Sequence, residues 1–128
     1  MYNYLFGNLA VRLIQIKYET KQIERYFVDY ELMKKKIGTE HTITVKKRID
    51  ALKASVCFFD FLNLRLGKPH RLKWDLVDCY GISVTGNVRL IVKPVCADHT
   101  PQSLQECDVI IMKGVCKYHG DKTEWVIP

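Results

Sequence analysis

The sequence contains no Cys-x-x-Cys pair, no internal repeat, no low-complexity tract and no apolar run approaching the length of a membrane span. Its five cysteines, Cys57, Cys79, Cys96, Cys107 and Cys116, form an odd set, which argues against a disulfide framework and for reduced, buried thiols. The opening MYNYLFGNLAVRL has no basic leader and no small-residue cleavage site, so neither a secretory signal nor a membrane anchor is expected, and the protein reads as cytoplasmic. Acidic residues are the scarcer charge: 14 of them against 20 lysines and arginines leave a formal charge of +6. That balance favours an anionic partner without naming it. The excess is local, because Arg65, Lys68, Arg71 and Lys73 fall between residues 65 and 73 with His70 among them.

What is present is the composition of one soluble globular domain spanning residues 1–128, 48% apolar and 27% charged. Residues 1–12 are expected as a poorly ordered arm, an extra strand or a consequence of start-codon choice, and 120–128 as an extension. LIQIKY reads as a short strand. From Thr20, an N-cap, Ile23, Tyr26, Phe27, Tyr30, Met33 and Ile37 recur at steps of three and four, predicting one helix over 21–37 that Gly38 ends. Lys34, Lys35 and Lys36 suit the negative end of that helix. Val45, Ile49, Leu52 and Val56 predict a second helix over 42–55, and VCFFDFLNLRLGKP a packed connector. Beyond it RLKWDLV, CYGISV and VRLIV predict a meander whose last two strands meet at TGN, and DVIIMKGVCKY a final strand after the polar break ADHTPQSLQE. The fold class expected is therefore α+β: two N-terminal helices packed on one face of a small, mainly antiparallel sheet of four or five strands, leaving the other face for function.

Two features of this frame carry chemistry. Arg89 sits in a strand with period two, so it is expected on the opposite face from Val88 and Leu90, free for an anion. Cys96-x-x-His99 and Cys116-x-x-His119 together offer four residues of zinc-binding type, although their spacing is unlike paired knuckles.

The run HRLKWDLVDCYGISVTGNVRLIV, the upstream VKKRIDALKAS and the downstream KYHG resemble the RelE/HigB toxins of bacterial type II toxin–antitoxin modules, most closely the plasmid-maintenance killer branch, over roughly residues 13–120. His70 and Lys73 match its His-x-x-Lys entry to the sheet, Asn87 and Arg89 its Asn-x-Arg turn, and Tyr118 and His119 the end of its Asp-Tyr-His triplet. Lys117 stands where the triplet has Asp, so that either His70 and His119 suffice, or Asp75 or Asp121 substitutes, or the protein cuts poorly, and Asp78 and Cys79 replace the Gly and aromatic residue often found before the second strand.

The resemblance implies a RelE-like fold and an endoribonuclease that cuts messenger RNA, usually in the ribosomal A site, without cofactor or metal. It also implies a cognate antitoxin, a HigA-like protein with a helix-turn-helix fold. Such cleavage uses the ribose 2′-OH against its own phosphate, so the enzyme must align the attack, move two protons and stabilise added negative charge. Lys73 and Arg89 are the candidates for the phosphate, His70 and His119 for acid, base and positioning work, and Tyr118 for orienting the nucleophile or stacking. Arg65, Lys68 and Arg71 are candidate RNA contacts, and Tyr80 either stacks on a base or packs in the core. His41 and His99 read as ordinary surface or loop residues. Two alternatives stand beside this reading: a ParE-like toxin that binds DNA gyrase without catalysis, and a zinc-stabilised nucleic-acid-binding module on Cys96, His99, Cys116 and His119.

Overall fold

The computed structural model describes residues 2–5, 9–120 and 122–127, and for residues 2–5 and 9–11 the backbone alone. Strands β1 (Tyr2–Leu5) and β2 (Leu9–Arg12) pair antiparallel as a separate hairpin, so the described part of the first dozen residues is an added two-stranded unit. The chain then enters the main sheet at β3 (Gln15–Tyr18).

The predicted helix over 21–37 is two helices, α1 (Lys21–Val28) and α2 (Tyr30–Ile37). Thr20 caps the first, its hydroxyl accepting from Ile23 N. The break is at Asp29, which has extended backbone and whose carboxylate accepts from Leu32 N, so a residue that fits the polar face of a single helix acts as the N-cap of the second. Gly38 ends α2 at φ +88, as its position predicts. Helix α3 (Thr39–Lys53) begins three residues earlier than expected. The connector contains α4 (Phe58–Asn63), which buries Phe58 and Phe61 completely.

Of RLKWDLV only Arg71 is in a strand, β4 (His70–Arg71), and Trp74–Leu76 form a 3₁₀ turn. β5 (Tyr80–Thr85) and β6 (Val88–Pro94) make the predicted hairpin, with Gly86 at φ +51 in its turn. A short α5 (Pro101–Gln105), capped by the Thr100 hydroxyl, occupies part of the expected polar loop. β7 (Val109–His119) is the central strand and β8 (Lys122–Ile127) folds back along it.

The sheet order is β3-β7-β6-β5-β4, with β8 also on β7. One edge of β7 is shared: residues 109–112 pair with β3 in parallel, and 115–119 pair with β8 antiparallel. All other pairings are antiparallel, so the fold is α+β with a six-stranded, mainly antiparallel sheet. The main core lies between the helices and one sheet face and contains Tyr80, Ile82, Leu90, Val92, Ile110 and Met112. A second, smaller cluster of Cys79, Ile91 and Cys116 lies on the other face, covered by Leu72, Leu76 and Tyr118. Among the described residues no helix is long and apolar enough to cross a membrane.

Candidate functional site

A glycine inside a strand gives up packing, and it is kept where something must come close. Gly81, in β5, stands opposite His70 of β4 on one side and Ile91 of β6 on the other. A Cβ at Gly81 would lie 3.2 Å from Leu72 Cδ2, 3.4 Å from Tyr118 Oη and 3.6 Å from His70 Cε1. The missing side chain therefore leaves a floor on which an imidazole from β4 and a phenol from β7 converge.

The segment that delivers His70 is held by Gly67, at φ +66, whose Cβ would fall 2.6 Å from Ser83 O. Only glycine lets the connector lie this close to β5, and Ser83 N donates to Gly67 O at 2.7 Å to hold it there. Arg65, Lys68 and Trp74 also have left-handed backbone, at φ 58, 45 and 60. Such conformations are costly for bulky side chains, and here they are concentrated in the segment that carries the basic cluster.

Two hollows meet at His70. One, of about 510 Å³, is lined by His70, Arg71, Lys73, Trp74, Tyr118 and Trp125 among others. The second, of about 550 Å³, is lined by Arg65, Lys68, His70, Ser83 and Arg89 together with Gly67 and Gly86. The ring of His70 is exposed, and its Nδ1 faces the Lys68 carbonyl at 3.2 Å. Because a carbonyl can only accept, Nδ1 carries the proton and the lone pair of the neutral ring is on Nε2.

Arg89 lies on the face opposite Val88 and Leu90, as strand alternation requires. Its Nη1 donates to the carbonyls of Gly86 at 2.6 Å and Val88 at 3.1 Å, and its Cζ stands 5.4 Å from the centre of the Tyr118 ring. Its Nε is buried with no hydrogen-bond partner among the described residues. Tyr118 is fixed at its backbone as well: Asn87 Nδ2 donates to Tyr118 O at 2.8 Å, and Tyr118 N donates to Asn87 O at 2.9 Å. Burial raises the pKa of the phenol, the Cys116 thiol beside it raises it further, and the Arg89 guanidinium offsets part of the rise. The phenol is therefore protonated at neutral pH, a donor and not a base.

The other predicted residues divide. Lys73 and Arg71 are exposed at the first hollow, where Arg71 also reaches the Val77 carbonyl at 3.4 Å. Arg65 and Lys68 line the second. Tyr80 does not join them. It is 5% exposed in the main core, edge-on to Phe58 at 5.0 Å between centroids, with its hydroxyl 3.2 Å from His99 Nδ1. Strand alternation is the reason, since Tyr80, Ile82 and Val84 share the helix-facing side of β5. His99 in turn is not an ordinary loop residue, because it is half-buried between Tyr80 and Asp78, the latter at 3.7 Å.

His119 also lies apart from His70. Register pairs it with Lys122, on the face of the β7–β8 ribbon opposite Tyr118, Thr123 and Trp125, and its Nε2 meets Glu124 at 3.2 Å. It lines neither hollow. The carboxylate that partners it is Glu124, while Asp75 lines the first hollow and Asp121 is outside the described residues. The four residues of the zinc alternative are separated too: Cys116 is in the second cluster, Cys96 packs against the main core, and His99 and His119 have the partners above. Among the described residues no group of three or more His, Cys, Asp or Glu is arranged to hold a metal. Sequence reasoning missed the Asn87 clamp, Glu124, both tryptophans and the Gly81 floor; for the last, a glycine within a predicted strand was the available signal.

No protein-family model matches the chain, and no curated protein sequence matches it. Two solved structures are similar to it. One is a YoeB-YefM complex from Staphylococcus aureus, with a TM-score of 0.49 at 16% identity over 83% of this chain and 97% of that one. The other, a heterotetrameric YoeB-YefM toxin-antitoxin complex from the same organism, gives 0.47 at 18% identity with the same coverage, 83% and 97%.

Proposed function

We propose that this protein is the toxin of a toxin–antitoxin pair and acts as an endoribonuclease on messenger RNA in the cytoplasm, at the ribosomal A site, until a HigA-like antitoxin covers its basic face. The observation that carries the reading is the meeting of His70 and Tyr118 over Gly81, with Lys73 and Arg89 in the adjoining hollows. The order of the motifs that resemble the RelE/HigB toxins supports the same reading.

In the reaction, Lys73 and Arg89 hold the scissile phosphate, the ammonium as a point charge and the guanidinium through the part of its fork not tied to Gly86 and Val88. Their attraction grows as the phosphorane gains charge, which is the differential binding that lowers a barrier. His70 Nε2 takes the proton of the 2′-OH, the 2′-oxygen bonds to phosphorus as the bond to the 5′-oxygen breaks, and Tyr118 gives its proton to the departing oxygen. The products are a 2′,3′-cyclic phosphate and a 5′-hydroxyl. The proton on His70 then returns to the phenolate, restoring both groups. This division of labour needs no metal ion and leaves His119 outside the chemistry.

The test is induced expression with primer-extension mapping of transcripts. Wild type should arrest growth and cut transcripts at discrete positions leaving a 5′-hydroxyl, and His70→Ala and Tyr118→Phe should relieve the arrest while remaining folded. Growth arrest with intact transcripts would overturn the reading and favour a non-catalytic, gyrase-binding toxin.

A further inference from the structure

The chain has two tryptophans, and both line the first hollow. Trp74 is 88% exposed, an indole left almost wholly in water. Its backbone is left-handed at φ +60, a conformation in which a bulky side chain is disfavoured and glycine would serve the turn better. Neither core packing nor turn chemistry accounts for tryptophan there, and strain at an exposed residue beside a candidate site is the usual mark of a functional demand.

Trp125 comes to the hollow from β8, opposite Cys116 in register, and is 39% exposed. Its Cζ3 lies 3.1 Å from where a Cβ of Gly114 would be, so the ring rests on bare backbone of β7 and is held in place from below. The same hollow is lined by His70, Arg71, Lys73 and Asp75. Arg71 and Lys73 attract a phosphate, and the two indoles offer flat apolar faces to a neutral aromatic group, so one hollow carries partners for both halves of a nucleotide.

We propose that Trp74 and Trp125 form a base-stacking subsite, which holds the unpaired nucleobase next to the phosphate bound at Lys73 and Arg89. The proposal rests on the ribonuclease reading, because it identifies that ring as a base of the RNA strand. Stacking on an aromatic face accepts every base, so the subsite positions the strand and supplies affinity without demanding a sequence.

Because both tryptophans line this hollow, intrinsic tryptophan emission of the full chain reports on it. The probe is a short single-stranded oligonucleotide with 2′-O-methyl riboses, which cannot be cut by 2′-OH attack, compared with an abasic strand carrying the same number of phosphates. The base-bearing strand should quench emission saturably and bind about tenfold more tightly than the abasic one. Trp74→Gly should relax the backbone and raise the melting temperature, yet weaken binding of the base-bearing strand about tenfold without affecting the abasic strand, and Trp74→Phe should retain most of the affinity. Equal binding of the two strands, absent quenching, or undiminished affinity in Trp74→Gly would each overturn the proposal; the last two are the results expected if Trp74 instead serves a protein partner. Failure of the ribonuclease reading looks different: saturable, base-dependent quenching by wild type with unmodified RNA left uncut, an outcome that retains the stacking subsite.

Discussion

At the scale of single residues, Gly81 bears most directly on the proposed chemistry. An alanine methyl there meets Leu72 Cδ2 at 3.2 Å and Tyr118 Oη at 3.4 Å, contacts that the ends of side chains relieve by small shifts. The cost to stability is about 1 kcal/mol, whereas moving the phenol away from the imidazole disturbs the reacting geometry. Gly81→Ala should therefore melt only a few degrees lower but cleave RNA at least roughly tenfold more slowly, read by thermal denaturation beside single-turnover cleavage. His119 separates the geometry from the motif that pointed to it. Its ring is exposed and bonded to Glu124 on the far face of the ribbon, so His119→Ala should leave cleavage unchanged while His70→Ala lowers it about 10²-fold or more. Equal losses in the two variants would restore His119 to the site and refute the assignment of the second proton to Tyr118.

At the scale of elements, the β5–β6 turn does more than reverse the chain. Asn87 donates one hydrogen bond to the backbone of Tyr118 and accepts another from it, so the turn fixes the end of β7 and with it the phenol. Asn87→Ala removes the side-chain bond and should cost about 1 kcal/mol of stability, with kcat reduced more than KM because the phosphate contacts remain. Asn87→Asp should be worse, since a carboxylate cannot donate to the Tyr118 carbonyl. Melting curves and steady-state cleavage of the three proteins check both statements. The hairpin itself was legible in the sequence because alternation and a Gly-Asn turn agree. The break between α1 and α2 was not, because an aspartate on the polar face of a periodic stripe looks the same whether it is solvated or caps Leu32. Helices α4 and α5 are too short to show a period, although Thr100 followed by Pro101 was a usable start signal. β4 was overextended because nothing local announces that Trp74 leaves the extended region. Of the site, the order of short motifs made His70, Lys73, Arg89 and Tyr118 visible, but which side chains meet depends on the register of β4, β5 and β7, and that is set by tertiary pairing.

At the scale of the whole molecule, the sheet separates a large helical core from a small thiol-rich one that underlies the site. Above it, Arg65, Lys68, Arg71, Lys73 and Arg89 line adjoining hollows, so affinity for single-stranded RNA should fall with salt at a log–log slope of about −3.5, measured by fluorescence anisotropy. A flat salt profile would remove the electrostatic basis of the proposed function. In the small core beneath the site, burial raises the Cys116 pKa to about 12, with Cys79 adding to the rise, and in the helical core burial likewise raises Cys107 to about 11. An unfolded thiol ionises near about 8.5, so between that value and the folded pKa the native state holds protons that the unfolded state has released. The unfolded chain then binds fewer protons, and stability must fall as pH rises. The thiols' contribution is accordingly complete below about pH 8.5 and declines above it, and burial raises Tyr80 and Tyr118 as well, so they add to the decline only above the unfolded tyrosine value of about 10. Urea unfolding at a series of pH values should show this decline. Cys116→Val fills nearly the same volume without a titrating group, so it should change neutral stability by about 1 kcal/mol or less and make the alkaline decline shallower. Identical alkaline slopes for the two proteins would mean that the Cys116 thiol is not enclosed beneath the site, and the support for Tyr118 from below would fall with it.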